Sequence, residues 1–242
     1  MHEVTTDILR IEGLRAAHVY VIVSAEGLTL VDTGLAQETD RILNQLKAAG
    51  HEPSAVRNII LTHFHDDHAG GAASIAGLTG ARVQAHREEV PFIEQTIPSR
   101  PRPRLLAIFS RITKRMLPKS APCRVDVALE DGDAIEGSGG YRAIHTPGHT
   151  PGSLCLYHPE RRILFCGDAL FNRHPVTGRR GLREPIRMFT ADPEKARDSI
   201  RKLSKLNVEQ LFCGHGEPIL VDAGRQIEAL LRRLPRSSAA RE

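Results

Sequence analysis

Tryptophan is absent from the 242-residue sequence, and aromatic residues make up only 4 % of it. Such a chain offers little flat surface on which single-stranded nucleic acid could stack, so nucleic acid is a disfavoured partner. Cysteine is also scarce, and its four positions form no C-x-x-C pair, which argues against a cysteine-type zinc site. The four are Cys123, Cys155, Cys166 and Cys213. Most of them fall in strand-like apolar runs, which predicts that they are buried free thiols and that the protein works in a reducing compartment.

Long apolar runs are missing too, and none approaches the roughly 18 residues that a membrane-spanning helix requires. Residues 1–10 include Glu3 and Asp7 and lack the apolar centre of a signal peptide. Hydrophobic residues nevertheless account for 40 % of the chain, which is enough for a packed core. We therefore expect a soluble cytoplasmic protein without a membrane span.

The net charge of +4 is unevenly distributed along the chain. Residues 91–119 hold seven Arg or Lys and one acidic residue, and residues 172–187 hold five Arg and one Glu. These segments carry +6 and +4, which leaves −6 for the remainder. Within the first segment, apolar residues at helical spacing predict a basic amphipathic helix in an insertion at about 91–122 (Leu105, Leu106, Phe109, Ile112 and Met116). A plain surface helix, a lid at the active-site rim, and a dimer or membrane-surface contact all fit this pattern.

The order of predicted elements indicates an α/β chain with one domain over residues 1–242. Strands are predicted at 8–11, 18–24, 28–31, 57–61, 82–85, 125–129, 141–145, 153–157, 162–166 and 209–213. A hairpin turn is expected at Ala25–Gly27. Helices are predicted at 37–49, about 67–78, 193–206 with Asp192 as N-cap, and 223–233. The recurrence of strands followed by helix–strand alternation in each half favours a duplicated plan around paired sheets.

The segment Thr62–Gly71 is the densest concentration of potential metal ligands, with three His and two Asp within residues 63–68. It directly follows the apolar run Asn58–Leu61. Imidazole and carboxylate groups crowded into a partly buried place are costly unless something pairs with them. Neutral His and ionised Asp are common ligands of divalent metals, so the density predicts a metal site.

More candidate ligands follow predicted strands further along the chain. His149 lies in Thr146–Gly152, Asp168 follows Gly167, and His215 follows Gly214. His145 is close to the first of these but lies within a strand. Glycine and proline beside these residues allow the backbone to turn tightly and aim a ligand.

Taken in order, these residues resemble the metallo-β-lactamase superfamily, and the motifs around Asp32–Gly34, Thr146–Thr150 and Gly167–Asp168 match as well. The resemblance covers nearly the entire chain. It implies an α/β (α+β) fold, a four-layer αββα sandwich with a dinuclear site along one edge of its two sheets. Carried over by position, the first metal would be held by His63, His65 and His149, and the second by Asp67, His68 and His215, with Asp168 bridging both.

The ligand types agree with two divalent ions, Zn first and Fe or Mn as alternatives. Two neighbouring cations can lower the pKa of a shared water to roughly 7, which provides hydroxide at neutral pH. No Ser or Cys nucleophile is then required, and Asp67 and Asp168 are the predicted catalytic carboxylates.

Other polar residues receive smaller roles. Asp32 is expected to anchor the ligand loops by hydrogen bonds, and Asp66 to face solvent or cap a helix. Phe171, Arg173 and His174, which follow Asp168 closely, are candidate substrate contacts. The remaining histidines with no motif around them are expected to be surface or packing residues: His18, His51, His86 and His158.

Departures from the family patterns narrow the choice of branch. A bridging Asp168 argues against antibiotic hydrolysis, because the β-lactamases of the family lack that bridge. Many similar lactonases carry Tyr where this chain has Phe171. Glyoxalase II-type thioesterases match Gly167–Phe171 better, but their glutathione-binding Cys-Gly-Lys segment is replaced here by Asn172–Pro175. There is also no room after His215 for their helical C-terminal domain.

The first hypothesis is a metal-dependent hydrolase whose dinuclear-metal-bridging hydroxide attacks a small ester, thioester or lactone. The basic segments favour an anionic substrate, and a homodimer is possible. Alternatives are a mononuclear iron oxidoreductase resembling persulfide dioxygenases, an RNA or phosphodiester-processing nuclease, and a binding module without catalysis. Metal content would separate the first two, and steeply salt-dependent RNA binding would support the third.

Overall fold

The computed structural model of the chain describes residues 1–98, 120–174 and 177–235. The chain divides into two compact units, one comprising Met1–Gln84 with Val90–Ala128 and the other Ala85–Glu89 with Leu129–Glu242. A single domain over 1–242 stays a prediction. Residues 99–119, which hold most of the predicted basic helical insertion, lie outside the described residues.

A seven-stranded sheet runs through the first unit in the order β1-β2-β3-β4-β5-β6-β7. Strands β1 to β4 form an antiparallel meander, and β5 joins β4 in parallel. The turn between β3 and β4 is the predicted hairpin, with Ser24 paired to Gly27. The strands are His2–Thr5, Ile8–Arg10, Tyr20–Ser24, Gly27–Val31, Val56–Leu61, Arg82–His86 and Val127–Leu129.

In the described part of this unit, the α-helices along the chain are α1 (Thr39–Ala48), α2 (Asp66–Ala69), α3 (Ala72–Thr79) and α4 (Val90–Ile93). Instead of the one helix predicted at about 67–78 there are two, because the helical hydrogen-bond ladder is interrupted between α2 and α3 although Gly70 and Gly71 keep right-handed dihedrals. There the N–H of Gly71 donates to the carbonyl of Gly34 at 3.2 Å. A Cβ on Gly71 would lie 2.6 Å from the carbonyl oxygen of Thr33, so only glycine permits this approach.

The second unit contains a four-stranded sheet in the order β13-β10-β9-β8 and a separate hairpin, β11-β12. Strand β13 is parallel to β10, and the other neighbours are antiparallel. The strands β8 to β13 are Arg142–His145, Leu154–His158, Ile163–Gly167, Phe171–Arg173, Arg180–Arg183 and Gln210–Cys213. Strand β1, helix α4 and the β11–β12 hairpin were not predicted, and the arginine-rich strands of the hairpin show no alternation of apolar and polar residues.

Two helices, α5 (Pro193–Leu203) and α6 (Ala223–Arg233), cover apolar side chains of the second unit. Asp192 caps α5 as predicted, accepting from the N–H groups of Glu194 and Lys195 at 3.1 Å each. Leu164, Ile200 and Ile227 are among the fully buried residues of this core. All four cysteines are free and buried, which confirms that prediction. Within the described ranges, no helix combines the length and apolarity needed to cross a bilayer.

Candidate metal centre

The histidine-rich segment leaves strand β5, which is buried along most of its length and delivers His63 to a fully buried position. Nε2 of His63 lies 3.1 Å from Nδ1 of His65, and the ring of His63 lies 4.1 Å from that of His68. Nε2 of His68 lies 3.9 Å from a carboxylate oxygen of Asp67. The first unit therefore brings four potential ligands close to one another, and their nitrogen and oxygen donors suit a divalent cation.

Asp32 anchors this segment by hydrogen bonds, as the sequence predicted. Its carboxylate is 2 % exposed and accepts from the Thr62 N–H at 2.8 Å and from Nδ1 of His68 at 2.7 Å. Because a carboxylate only accepts, His68 carries its proton on Nδ1 and keeps the lone pair of Nε2 for a metal. The Thr33 N–H and hydroxyl both donate to the carbonyl of His68, at 2.7 and 2.8 Å. Thr33 and Thr62 had no assigned role in the sequence analysis.

Asp66 is exposed at the first position of α2, and its carboxylate accepts from the hydroxyl of Ser120. This exposure agrees with the solvent-facing position expected for Asp66.

The second unit brings three further candidates together around Asp168. Its Oδ2 lies 3.3 Å from Nε2 of His149, and its Oδ1 lies 3.4 Å from Nε2 of His215. Each oxygen of one buried carboxylate thus faces a different imidazole. Carboxylate oxygens beside imidazole nitrogens form a donor set that could hold a divalent cation.

Three backbone turns hold these ligands in place. Residues Thr146–Gly152, here called the His149 loop, are fixed by the Ala191 and Asp192 N–H groups, which donate to the carbonyls of His149 and Gly148. Gly148 has a φ of +136°, and a Cβ there would lie 2.1 Å from the Ala196 nitrogen. The loops of the other two ligands are tied together, since the Gly214 N–H donates to the carbonyl of Gly167 at 2.9 Å.

Phe171 is buried against the imidazoles of His149 and His215 and is not exposed to a substrate. Its ring packs edge-on against His215, with centroids 4.9 Å apart, and lies 6.3 Å from His149. Arg173 is exposed, whereas His174 is half-buried and uses Nδ1 to accept from the Thr177 N–H at 3.1 Å. Of the three candidate substrate residues, Arg173 is the one that presents its side chain to solvent.

His86 and His158 are buried, and His18 and His51 are half-buried, in agreement with packing or surface roles. His86 nevertheless stacks on His145 and adjoins Glu89, which is fully buried. No local motif marked Glu89, because its partner Gly152 is 63 residues away in the sequence.

Residues 13–215 match the family model described as the metallo-beta-lactamase superfamily. The chain therefore belongs to the metallo-β-lactamase superfamily. Solved structures support the fold: the metallo-beta-lactamase family protein TTHA1429 of Thermus thermophilus superposes with a TM-score of 0.72 at 24 % identity, covering 96 % of this chain and 80 % of that one. TTHA1623, solved in a di-iron-bound form, gives 0.68 at 25 % identity and coverages of 93 % and 98 %.

Among curated relatives, the chain is 30 % identical over 223 residues to the probable metallo-hydrolase YflN of Bacillus subtilis (strain 168), covering 85 % of this chain and 83 % of that protein. It is 32 % identical over 189 residues to a hydroxyacylglutathione hydrolase of Pseudomonas aeruginosa (strain LESB58). That alignment covers 77 % of this chain but 55 % of the relative, so the chain spans only part of that protein's length. Together with the His and Asp groups above, the family places the chain among the metallo-hydrolases.

Proposed function

We propose that the chain is a metal-dependent hydrolase of a small ester, thioester or lactone that carries negative charge. The ligands would be the seven residues named from the sequence: His63, His65, Asp67, His68, His149, Asp168 and His215. The observation that carries the proposal is the Asp168 carboxylate, whose two oxygens face His149 and His215 at 3.3 and 3.4 Å.

The donor set fits two divalent ions, because imidazole nitrogens and carboxylate oxygens suit zinc and its neighbours. Bound at these residues, such ions would supply hydroxide at neutral pH and polarise the carbonyl of the substrate. Zinc is the proposed metal, with iron as the second choice because of the di-iron form of TTHA1623.

The chain's own residues would do the remaining work. Asp32 holds the proton of His68 on Nδ1. The packing of Phe171 against His215 limits rotation of that imidazole. A carboxylate oxygen of Asp67, which is half-buried, would accept the proton of the attacking water and return it to the leaving oxygen or sulfur.

The β11–β12 hairpin supports an anionic substrate. Arg173 and Arg180 are direct cross-strand partners, an arrangement that costs stability unless an anion shares it. The acidic residue of this basic segment, Glu184, is already engaged by Arg197 at 2.8 Å. The N–H of Asn172 donates to the carbonyl of His215 at 2.9 Å, so the hairpin starts beside a proposed ligand.

The proposal is tested by elemental analysis of the purified protein and a panel of ester, thioester, lactone and phosphoester substrates. His63→Ala and Asp168→Ala should each lower hydrolysis by more than about a hundredfold, the upper end of what outer-shell changes cost. His51→Ala, a half-buried histidine outside the site, serves as the control. A metal-loaded protein that hydrolyses nothing on the panel would refute the proposal, and bound iron with oxygen uptake would favour an iron oxidoreductase instead.

Anion selectivity has its own test. Arg173→Gln should raise KM for an anionic ester about tenfold, since a charge-assisted hydrogen bond contributes about 1.5 kcal/mol, and leave KM for a neutral analogue unchanged. Arg225→Gln, an exposed arginine on α6, is the matched control. An equal change for both esters would contradict the anionic substrate while leaving hydrolysis itself intact.

A further inference from the structure

The residues that follow strand β6 lie against the far end of the His149 loop. The N–H of Gly152 donates to Oε1 of Glu89 at 2.7 Å, and Glu89 is 0 % exposed. A Cβ added to Gly152 would lie 2.8 Å from the Glu89 nitrogen and 2.9 Å from Nδ1 of His86. The loop therefore ends in a close backbone contact that leaves no room for a larger residue.

The residue that precedes the loop, His145, belongs to a pair of stacked imidazoles and bonds back to the far part of the loop. The rings of His86 and His145 lie 3.8 Å apart with an interplanar angle of 13°. Nε2 of His145 lies 2.9 Å from the carbonyl of Pro151, and since a carbonyl only accepts, that nitrogen carries the proton. Nδ1 of His86 accepts from the Glu88 N–H at 3.2 Å, which places the His86 proton on Nε2 when the ring is neutral.

His86 is set apart from an ordinary packing histidine by its surroundings. His86 is 2 % exposed, and among the described residues its Nε2 has no hydrogen-bond partner, with a carboxylate oxygen of Glu130 3.8 Å away. Burial, followed by the neighbouring His145, lowers the pKa of His86, against an opposing effect of three carboxylates (Glu88, Glu130 and Asp131). The lowered pKa favours the uncharged form of His86, and an uncharged ring can remain in face-to-face contact with the neighbouring imidazole.

The end of strand β8, at His145, is also held by hydrogen bonds. Nζ of Lys202 donates to the carbonyl of His145 at 2.9 Å and to Asp131 at 2.6 Å, and Asp131 accepts from the His145 N–H at 2.8 Å. The residue before the seven-residue loop and the last residue of the loop are thus each tied to a side chain distant in sequence, with His149 in the middle of the loop.

We propose that Glu89 and the His86–His145 stack are positioning residues, which hold the His149 loop in its metal-binding shape before any metal arrives. The proposal rests on the function proposed above, in that His149 must be a ligand. It requires no contact of Glu89 or His86 with metal or substrate. Preorganisation of this kind reduces the ordering cost that metal binding would otherwise carry.

The test compares Glu89→Ala, Glu89→Gln and Glu209→Ala for zinc affinity, measured by competition with a chelator. Glu209 is the matched control, because its carboxylate also accepts one backbone N–H, from Asp222 at 3.1 Å, in the same unit. Glu89→Ala should raise the Kd for zinc by about tenfold or more, the size of outer-shell effects. Glu89→Gln, which keeps an acceptor for the Gly152 N–H, should restore most of the affinity, and Glu209→Ala should leave the Kd unchanged.

Hydrogen–deuterium exchange of the metal-free protein gives a readout that involves neither metal nor activity. Exchange across residues 146–152 should rise in Glu89→Ala and stay at the wild-type level in Glu209→Ala. If Glu89→Ala does not fold, His86→Asn takes its place, since the Asn oxygen can still accept from the Glu88 N–H while the stack is lost.

The outcomes separate this proposal from the previous one. A wild-type protein that binds no metal refutes the proposed function. A wild-type protein that binds zinc, with loop exchange and Kd in Glu89→Ala equal to those of Glu209→Ala, overturns the positioning role alone.

Discussion

The exchange Asp32→Asn perturbs the ligand segment without removing a ligand. The carboxylate accepts from the Thr62 N–H at 2.8 Å and from Nδ1 of His68 at 2.7 Å, and the residue has a φ of +63°. Asparagine tolerates this left-handed backbone and has nearly the same volume, so the loop should keep its path. What changes is that one of the two accepting atoms becomes an NH₂ donor.

The effect on His68 depends on which of the two hydrogen-bond donors to residue 32 can change its proton position. The Thr62 N–H is fixed, so the amide oxygen should stay there and the NH₂ group should face Nδ1 of His68. His68 then gives up its Nδ1 proton and carries one on Nε2, the nitrogen proposed to bind metal. Outer-shell changes of this kind cost about 10- to 100-fold in metal affinity, or about 1.4 to 2.7 kcal/mol.

Two measurements on one sample decide the matter. Chelator competition gives the Kd for zinc, and ¹⁵N histidine-ring spectra of the metal-free protein report the tautomer of His68. Asp126→Asn is the control, because Asp126 accepts the Val83 N–H at 2.9 Å in the same unit. An Asp32→Asn protein with wild-type zinc affinity, and with His68 still protonated on Nδ1, would refute the reasoning.

Three further predictions concern burial and backbone geometry. Because burial and its imidazole neighbour lower the pKa of His86, the unfolded chain takes up this proton first as the pH falls. Stability should thus decline below about pH 6.5, and less so in His86→Asn, as followed by urea midpoints; equal slopes would contradict this. Burial raises the pKa of Cys123 to about 11 and that of Cys155 to about 12, so thiol reagents at pH 8 should modify neither before denaturation. Gly148→Ala should destabilise the protein by about 3 kcal/mol or more, since its Cβ would lie 2.1 Å from the Ala196 nitrogen; an unchanged melting temperature would exclude that contact.

Features that depend on residues adjacent in the sequence could be predicted from the sequence alone. The run from His63 to His68 concentrates its candidate ligands in six residues after a buried strand, so composition alone indicates a metal site. Asp192 indicates the start of α5, because an N-cap side chain bonds to backbone N–H groups within the next three residues. The structure shows two such hydrogen bonds, from the N–H groups of Glu194 and Lys195. The free buried thiols likewise follow from their apolar surroundings.

The interruption between α2 and α3 at Gly70–Gly71 could not be predicted from the neighbouring residues. Small residues at 67–78 are compatible with one helix, and what breaks it is the carbonyl of Gly34, which accepts the Gly71 N–H. That partner belongs to a segment more than thirty residues earlier in the chain. The β11–β12 hairpin was missed for a similar reason, since its arginines carry no burial pattern.

The sequence by itself determined the family and the types and order of the proposed ligands, because metal binding requires specific donor atoms and residue identity specifies those atoms. Only the tertiary structure decided that Phe171 packs under the imidazoles, that Asp168 turns one oxygen to each of two histidines, and that Glu89 ties the end of the His149 loop. These depend on contacts between residues far apart in the chain. Such contacts are selected by packing and hydrogen bonding in the folded state, and no local propensity encodes them.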